Sequence, residues 1–452
     1  MFLYEDKNVV QIIKNCRIVR GEILDLDIGI EGGMIKETGK NLSGEHLLDA
    51  KGMLVLPGGI DVHVHFREPG FTHKEDWLSG SRSAVAGGIT SVVDQPNTDP
   101  PTTTLSALKE KVEIAEKKSL VDFGISAGVT NENTPLIEGL AEEAVSFGEI
   151  FLGKERDAIS YENLESAIKA IKKTSLLPTV HAEDEECIEK NKIAYKIRSP
   201  HSHAIARPEE CEKKAVLKVI EIAKRKNYRV HICHVSTRAA MEKIMENKNI
   251  TCEVAPHHLI FSSKDDEWLR SRAKVNPPIR DSRDKNFLWE MLNRGEIDIL
   301  ASDHAPHKIW EKEGDIKDVK PGFPGVETMI PLMLNFVMEK RLNLERILDL
   351  VCHNPSKIWG FKKKGFLEEG FDADLTFFDL KGRKKIRAED LHSRCNWTPY
   401  EGFYGIFPKI TMIRGKVVFE NDEFYVEGGY GRNLKEEVNG ESASFTLTKA
   451  LT

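Results

Sequence analysis

The chain has no apolar run long enough to cross a bilayer, which would take about 20 residues as a helix. Its opening, Met1-Phe2-Leu3-Tyr4-Glu5-Asp6-Lys7, lacks the basic start and long apolar stretch of a secretory signal. Positive charge is not in excess. The formal net charge is −7, so the basic footprint of a nucleic-acid-binding protein is missing. The seven cysteines include no Cys-x-x-Cys pair. An odd, scattered set argues for a reducing cytoplasm and against both a disulfide scaffold and an all-cysteine zinc site. Cys233, inside an apolar stretch, reads as a small core residue. No Gly-x-Gly-x-x-Gly follows an early strand, which weakens a doubly wound dinucleotide-binding sheet. What remains is a chain of 452 residues, 40% hydrophobic and 30% charged, with enough length to bury a large core and the composition of a soluble globular protein.

The texture changes along the chain. Roughly the first 55 residues read as short strands with tight turns, such as 10–13, 16–19 and 27–30, with Gly32-Gly33 at a turn. The same texture returns at 373–378, 410–413 and 416–419. The two ends can pair into one small β domain, with the middle of the chain inserted between them. That middle alternates apolar strand candidates (60–66, 89–95, 121–129, 149–152, 177–182, 229–235, 250–255 and 297–302) with helical patterns such as 164–173 and 209–226. Alternation of this kind predicts a parallel sheet covered by helices, and eight such units suit a closed (β/α)8 barrel. The expected organisation is a small β-sandwich domain from residues 1–56 and 362–431, a barrel over 57–361, and a polar, poorly ordered tail over 432–452.

Barrel enzymes carry their chemistry at the C-terminal ends of the strands. The first candidate strand ends in His63-Val64-His65-Phe66-Arg67-Glu68-Pro69-Gly70. Two histidines at i and i+2 on a strand point to one face and can grip one metal ion, while an arginine fork suits a carboxylate. Taken alone, the pair is equally compatible with two polar residues near a strand end. Other strands end in Gln95-Pro96-Asn97-Thr98, His181-Ala182-Glu183, His234-Val235-Ser236, Pro256-His257-His258 and Ser302-Asp303-His304-Ala305-Pro306-His307. Metal-type residues thus recur at the same end of strand after strand. His231 and His234 are three apart and would face opposite ways on an extended strand. His234, nearer the C-terminal end, is the better ligand, and His231 is expected to pack toward the helices.

These motifs, together with Lys274-Val275-Asn276-Pro277-Pro278, the run Pro321-Gly322-Phe323-Pro324-Gly325-Val326-Glu327 and the late Gly370-Phe371-Asp372-Ala373-Asp374-Leu375, resemble the dihydroorotases of the amidohydrolase superfamily, class I type. Arg67 is the feature most particular to that family. The resemblance implies two zinc ions per chain, one held by His63, His65 and Asp303 and the other by His181 and His234. It implies a bridging hydroxide as nucleophile and Asp303 as general acid and base. Arg67, Asn97 and His307 would bind the substrate carboxylate, with Asn276 near the ring. The reaction implied is reversible hydrolysis of L-dihydroorotate to N-carbamoyl-L-aspartate in pyrimidine biosynthesis. The resemblance leaves open both a free enzyme and one docked on another enzyme of that pathway. Two alternatives stand beside it: an allantoinase or hydantoinase, which would not need the arginine after His65, and a non-catalytic member that keeps the barrel as a scaffold.

One position departs from the pattern. Many members carry a carboxylated lysine on the fourth strand, bridging the metals. Here the matching segment reads Gly148-Glu149-Ile150-Phe151-Leu152-Gly153-Lys154. Glu149 already ends in a carboxylate and can bridge unmodified, although it is several atoms shorter. Otherwise Glu149 is a surface residue at a strand start, and Lys154 or Asp157 serves, or the site holds one metal. Remaining polar residues read as structural. His257 and His258 shape the mouth, His201 and His203 are solvated in a loop before the helix start at Arg207-Pro208, and Lys362-Lys363-Lys364 is a solvated charge run. The charged loop 308–320 is expected to form a lid.

Overall fold

The computed structural model describes residues 11–154 and 157–438. Eight parallel strands follow one another around a barrel: Gly59–Val64, Ile89–Asp94, Asp122–Ala127, Ser146–Leu152, Leu177–His181, Val230–Ile232, Ile250–Val254 and Ile299–Leu300. Neighbours are hydrogen-bonded in chain order. The first and last meet through a parallel bridge between Val64 and His304, with the His65 N–H donating to the His304 carbonyl at 2.8 Å. All eight sequence-predicted strands are present. Their side chains are buried on both faces almost throughout, as expected where helices cover the outside and side-chain layers fill the inside.

The covering helices start and stop where the sequence directs. Ser160 caps Tyr161–Thr174, accepting from the Asn163 N–H, and Leu164, Ala167, Ile168 and Ile171 form its buried stripe at helical spacing. Asp281 caps Ser282–Arg294 in the same way, and Gly295 ends that helix with φ of 82°. The strand Leu54–Pro57 runs straight into the first barrel strand. At the junction a Cβ on Gly58 would lie 2.1 Å from Thr90 Oγ1, so only glycine permits this approach.

The strands from the two chain ends form one nine-stranded sheet, in which Leu54–Pro57 pairs antiparallel with Leu375–Lys385. This sheet has its own core, including Ile13, Ile18, Ile28, Val55, Leu375 and Phe377. The run at 362–364 departs from its expected exposure. Lys362 and Lys363 are exposed, but Lys364 is 2% exposed. Its Nζ contacts Asp122 at the start of the third barrel strand, Asp372 at 2.7 Å and Asp374 at 2.9 Å. Arg414 of the small sheet also pairs with Asp122. The cations and acids hold one another buried, and that network joins sheet to barrel.

The first part of the expected tail is also packed. Asn433 bridges to Phe123, Leu434 lies in the core with Ile60, Val62 and Trp359, and Lys435 donates to the carbonyls of Ala141 and Ala144. The apolar side chain of Leu434 explains the difference, since it closes the end of the barrel opposite the histidines. Residues 439–452 lie outside the described residues. Two cysteines depart from the expected unpaired state. Cys187 and Cys211 form a disulfide with Cα atoms 5.5 Å apart. They are distant in sequence, but the helices Glu185–Ala194 and Glu209–Lys226 both begin beside the end of the fifth strand, where the Asp184 N–H donates to the Cys211 carbonyl. Among the described residues, no helix is long and apolar enough to cross a membrane.

Replacing Lys364 with methionine leaves Asp122, Asp372 and Asp374 short of a buried cation. The expected loss is about 3–5 kcal/mol by chemical denaturation, whereas Lys363→Met changes stability by less than about 0.5 kcal/mol. Burial raises the carboxyl of Asp122, but Lys364 and Arg414 outweigh it and hold the group below its ordinary value. A depressed acid contributes fully above its unfolded pKa of about 4. The Asp122 contribution is therefore lost as pH falls below that value, and an acid titration of the native protein should show it.

Candidate metal centre and active site

At the C-terminal rim of the barrel, six sequence-predicted side chains converge. His63 is the penultimate residue of the first strand, and His65 lies just beyond its end. Glu149 lies in the middle of the fourth strand, which begins at Ser146, so it is an inward core position and not a surface strand start. It is 5% exposed, whereas Lys154 and Asp157 are exposed and turn to solvent. Glu149 Oε1 lies 2.8 Å from His181 Nδ1 and 2.7 Å from His234 Nε2. Its other oxygen is 3.6 Å from His63 Nε2. Asp303 Oδ1 lies 3.3 Å from His65 Nε2 and 3.7 Å from His63 Nε2.

The separations of 3.3, 3.6 and 3.7 Å suit a metal, while the two shorter Glu149 contacts are hydrogen bonds. Two ligands on one tetrahedral zinc lie about 3.3 Å apart, given bonds of about 2.0 Å. His63 Nε2 is buried with no hydrogen-bond partner, although Glu149 and Asp303 both face it. The set His63, His65 and Asp303 and the set His63, Glu149 and His234 each bring their ligand atoms within 4.8 Å of one another. The two carboxylate donors are held ionised by their surroundings. Burial opposes ionisation of Glu149, but His181, His234 and His63 outweigh it and hold the carboxyl well below its ordinary range. Burial likewise raises Asp303, and the stronger pull of His65, His63 and His234 lowers it.

Backbone strain marks the same rim. Arg67, His234 and Asp303 all adopt the left-handed region, with φ of 63°, 30° and 46°. Non-glycine residues are held there only when their surroundings over-determine them. This corrects the expectation for His231. Its strand ends at Ile232, so the strict alternation stops before His234. Both histidines face the barrel interior. His231 lies one layer deeper, against the ring of Trp359 at 5.2 Å and beside Glu253 at 3.1 Å.

A second cluster adjoins the first. Arg67 donates from Nε to the Pro306 carbonyl at 3.3 Å, and its Nη2 lies 3.3 Å from His307 Nε2. Among the described residues, no carboxylate forms an ion pair with this buried guanidinium. Lys74 has a partner, Glu311, at 3.1 Å and also lies 3.1 Å from His307 Nδ1. Burial, with Arg67 and Lys74 alongside, pushes the His307 ring down, so it is neutral near pH 7. Asn97, expected at the substrate, also meets a candidate ligand, its Oδ1 lying 2.6 Å from His65 Nδ1. Asn276 is fixed through its Oδ1 by His203 Nε2 at 2.9 Å. His203 is therefore buried against the site and not solvated, because the short helix Pro200–Ala206 folds over the 275–276 segment. His257 and His258 are both buried at the mouth on the helix Pro256–Ile260. The 308–320 loop is fastened to the same segment. Lys312 Nζ donates to the carbonyls of Lys274 and Lys320, and Lys274 Nζ donates to those of Ile316 and Lys317.

Several contributors were not foreseen. Glu183 lies 2.9 Å from His181 Nε2 and pairs with Arg207. Lys111 pairs with Asp94 at 2.5 Å, and Asp94 accepts the Phe66 N–H at 2.6 Å, securing the turn that presents Arg67. Glu253 lies beneath His63. The available signal was a polar residue inside an apolar strand, as at Thr251 and Glu253, two apart and so on one face.

The profile of the amidohydrolase family matches residues 54–418. Among curated proteins, a dihydroorotase of Methanosarcina acetivorans is 44% identical over 94% of this chain and 95% of its own length. A dihydroorotase of Halobacterium salinarum is 39% identical over 94% of this chain and 100% of its own. Among solved structures, an L-hydantoinase (dihydropyrimidinase) from Arthrobacter aurescens superposes with a TM-score of 0.89 at 32% identity, covering 93% of this chain and 98% of that one. A D-hydantoinase from a Thermus species gives 0.87 at 25% identity, with coverage of 95% and 99%.

Glu149 touches both halves of the cluster, so its loss should be felt in metal content. Glu149→Ala is expected to retain at least one divalent ion fewer per chain by elemental analysis after dialysis. Unchanged metal content would remove Glu149 from the centre.

Proposed function

Because the chain belongs to the amidohydrolase family, we propose that it is a dihydroorotase, hydrolysing L-dihydroorotate reversibly to N-carbamoyl-L-aspartate in pyrimidine biosynthesis. The observation that carries this reading is Arg67, a buried guanidinium beside the metal-type cluster with no carboxylate paired to it among the described residues. A buried charge needs a counter-ion, and the substrate carboxylate is one. Curated relatives that cover nearly the whole chain carry the name dihydroorotase.

In this reading His63, His65 and Asp303 hold one zinc ion, His181 and His234 hold a second, and Glu149 reaches both. When bound, the metals lower the pKa of water and polarise the amide carbonyl. The chain's own groups do the rest. Arg67 and the neutral His307 clamp the substrate carboxylate and so fix which ring bond faces the cluster. Asn97 keeps His65 turned inward. Asn276 is held by His203 through its oxygen, which leaves its amide N–H groups to donate to the ring. Asp303 is kept ionised by the histidines around it. It takes the proton of the attacking water and delivers it to the departing ring nitrogen, restoring the carboxylate. The resting state needs no carbon dioxide, because Glu149 supplies a carboxylate directly.

The hydantoinase structures support one alternative, a cyclic amidohydrolase acting on a neutral ring. Arg67 separates the two. Arg67→Lys removes the two-pronged contact, and kcat/KM for dihydroorotate should fall about 100-fold, or ~2.7 kcal/mol. Activity on hydantoins with none on dihydroorotate would favour the alternative. Ring opening of L-dihydroorotate should disappear on chelator treatment and return with zinc, to the same level with or without bicarbonate. A bicarbonate requirement would show that a modified lysine and not Glu149 completes the site, and inactivity in every state would overturn the assignment.

A further inference from the structure

Beneath the metal-type cluster lies a second layer of polar side chains that the reaction itself does not use. Its centre is Glu253, on the seventh barrel strand and 1% exposed. One carboxylate oxygen lies 2.5 Å from His63 Nδ1 and accepts the His234 N–H at 3.3 Å. The other lies 3.1 Å from His231 Nε2, and His231 Nδ1 lies 2.9 Å from Thr251 Oγ1. Glu253 thus touches one candidate metal ligand by its side chain and another by its backbone.

We infer that Glu253 is a positioning residue that sets the tautomer and ring rotation of His63 and so tunes metal affinity from below. An imidazole has two nitrogens. When Nδ1–H donates to Glu253, Nε2 keeps its lone pair, and that is the nitrogen facing Glu149 and Asp303. His231 holds the second oxygen, and Thr251 and Trp359 hold His231, so the carboxylate cannot swing away. A carboxylate behind a ligating histidine also makes that histidine a stronger donor. His181 has a similar partner in Glu183, but Arg207 lies 2.6 Å from Glu183 and offsets its charge. Among the described residues no lysine or arginine pairs with Glu253. No cationic side chain of that kind therefore offsets its charge at His63, as Arg207 does for Glu183. The trio His63, Cys233 and Glu253 also has the composition of a metal site, but at 2.5 Å the His63–Glu253 contact is a hydrogen bond and leaves no space for an ion between them.

The inference rests on the metal-centre reading above, and its test is read on zinc binding without substrate. The full chain is stripped of metal, and zinc affinity is measured by equilibrium competition with a chromogenic chelator. Glu253→Ala is expected to weaken the tightest-bound zinc 10- to 100-fold. Glu253→Gln keeps an acceptor for His63 but not the charge, so its affinity should fall between those of the alanine variant and the unsubstituted chain. At saturating zinc, KM for dihydroorotate should be unchanged, because Arg67 and His307 are untouched. Affinity within twofold of the unsubstituted chain in both variants would overturn the inference, and glutamine alone decides if alanine fails to fold. A parallel fall in metal-free melting temperature with zinc affinity intact would assign Glu253 to structure only. Failure of the unsubstituted chain to bind zinc overturns the inference and the metal centre together. Failure to turn over dihydroorotate with the affinity changes present leaves the inference standing and removes only the substrate.

Discussion

The hydrogen bond from the His65 N–H to the His304 carbonyl, 2.8 Å long, marks where the barrel closes on itself. Everything at the rim depends on that closure. It sets His63 and His65, from the start of the barrel, within 4 Å of Asp303 from its end. Parallel strands all finish on one side, so closing the ring gathers every strand end around one mouth. Six ligand-type side chains from five different strands or strand ends can then face a volume small enough for one or two ions. No short stretch of chain could do this, since a single strand offers only every second residue to one face.

Gathering so many polar groups in a dry place is costly unless each finds a partner. The rim meets that demand unevenly. His181 and His234 meet Glu149, His65 meets Asn97, and His63 meets Glu253 on one side only. Among the described residues, His63 Nε2 has no hydrogen-bond partner, and the guanidinium of Arg67 has neutral partners but no carboxylate. These are the places a cation and an anion would fill. The left-handed backbone at Arg67, His234 and Asp303 belongs to the same economy, because sharp turns at strand ends aim side chains that an extended strand would turn away.

Outside the rim, charge has the opposite role. Lys364 with Asp122, Asp372 and Asp374, and Lys111 with Asp94, are internally balanced and need nothing from solvent or ligand. They tie the small sheet to the barrel and the Arg67 turn to the second strand. The contrast between a balanced buried cation and an unbalanced one separates the structural charges of this molecule from the functional ones.

The amino-acid sequence by itself determined the eight strands, helical patterns such as 164–173 and 209–226 and the residue types at the strand ends, because periodicity and turn residues are local and each acts within a few positions. It also carried Glu149 in place of a lysine, since identity at a strand position is read directly. Tertiary structure alone decided which polar residues turn inward and what they meet. His231 was expected to face the helices, His203 and Lys364 to face water, and Cys187 and Cys211 to stay apart. Each expectation extended a local rule past the point where a strand ended or a distant segment packed against it. Glu253 was not singled out for the same reason: its partner His63 lies six strands earlier along the chain, and only closure of the barrel, which leaves them two strands apart around the ring, brings the two within hydrogen-bonding distance.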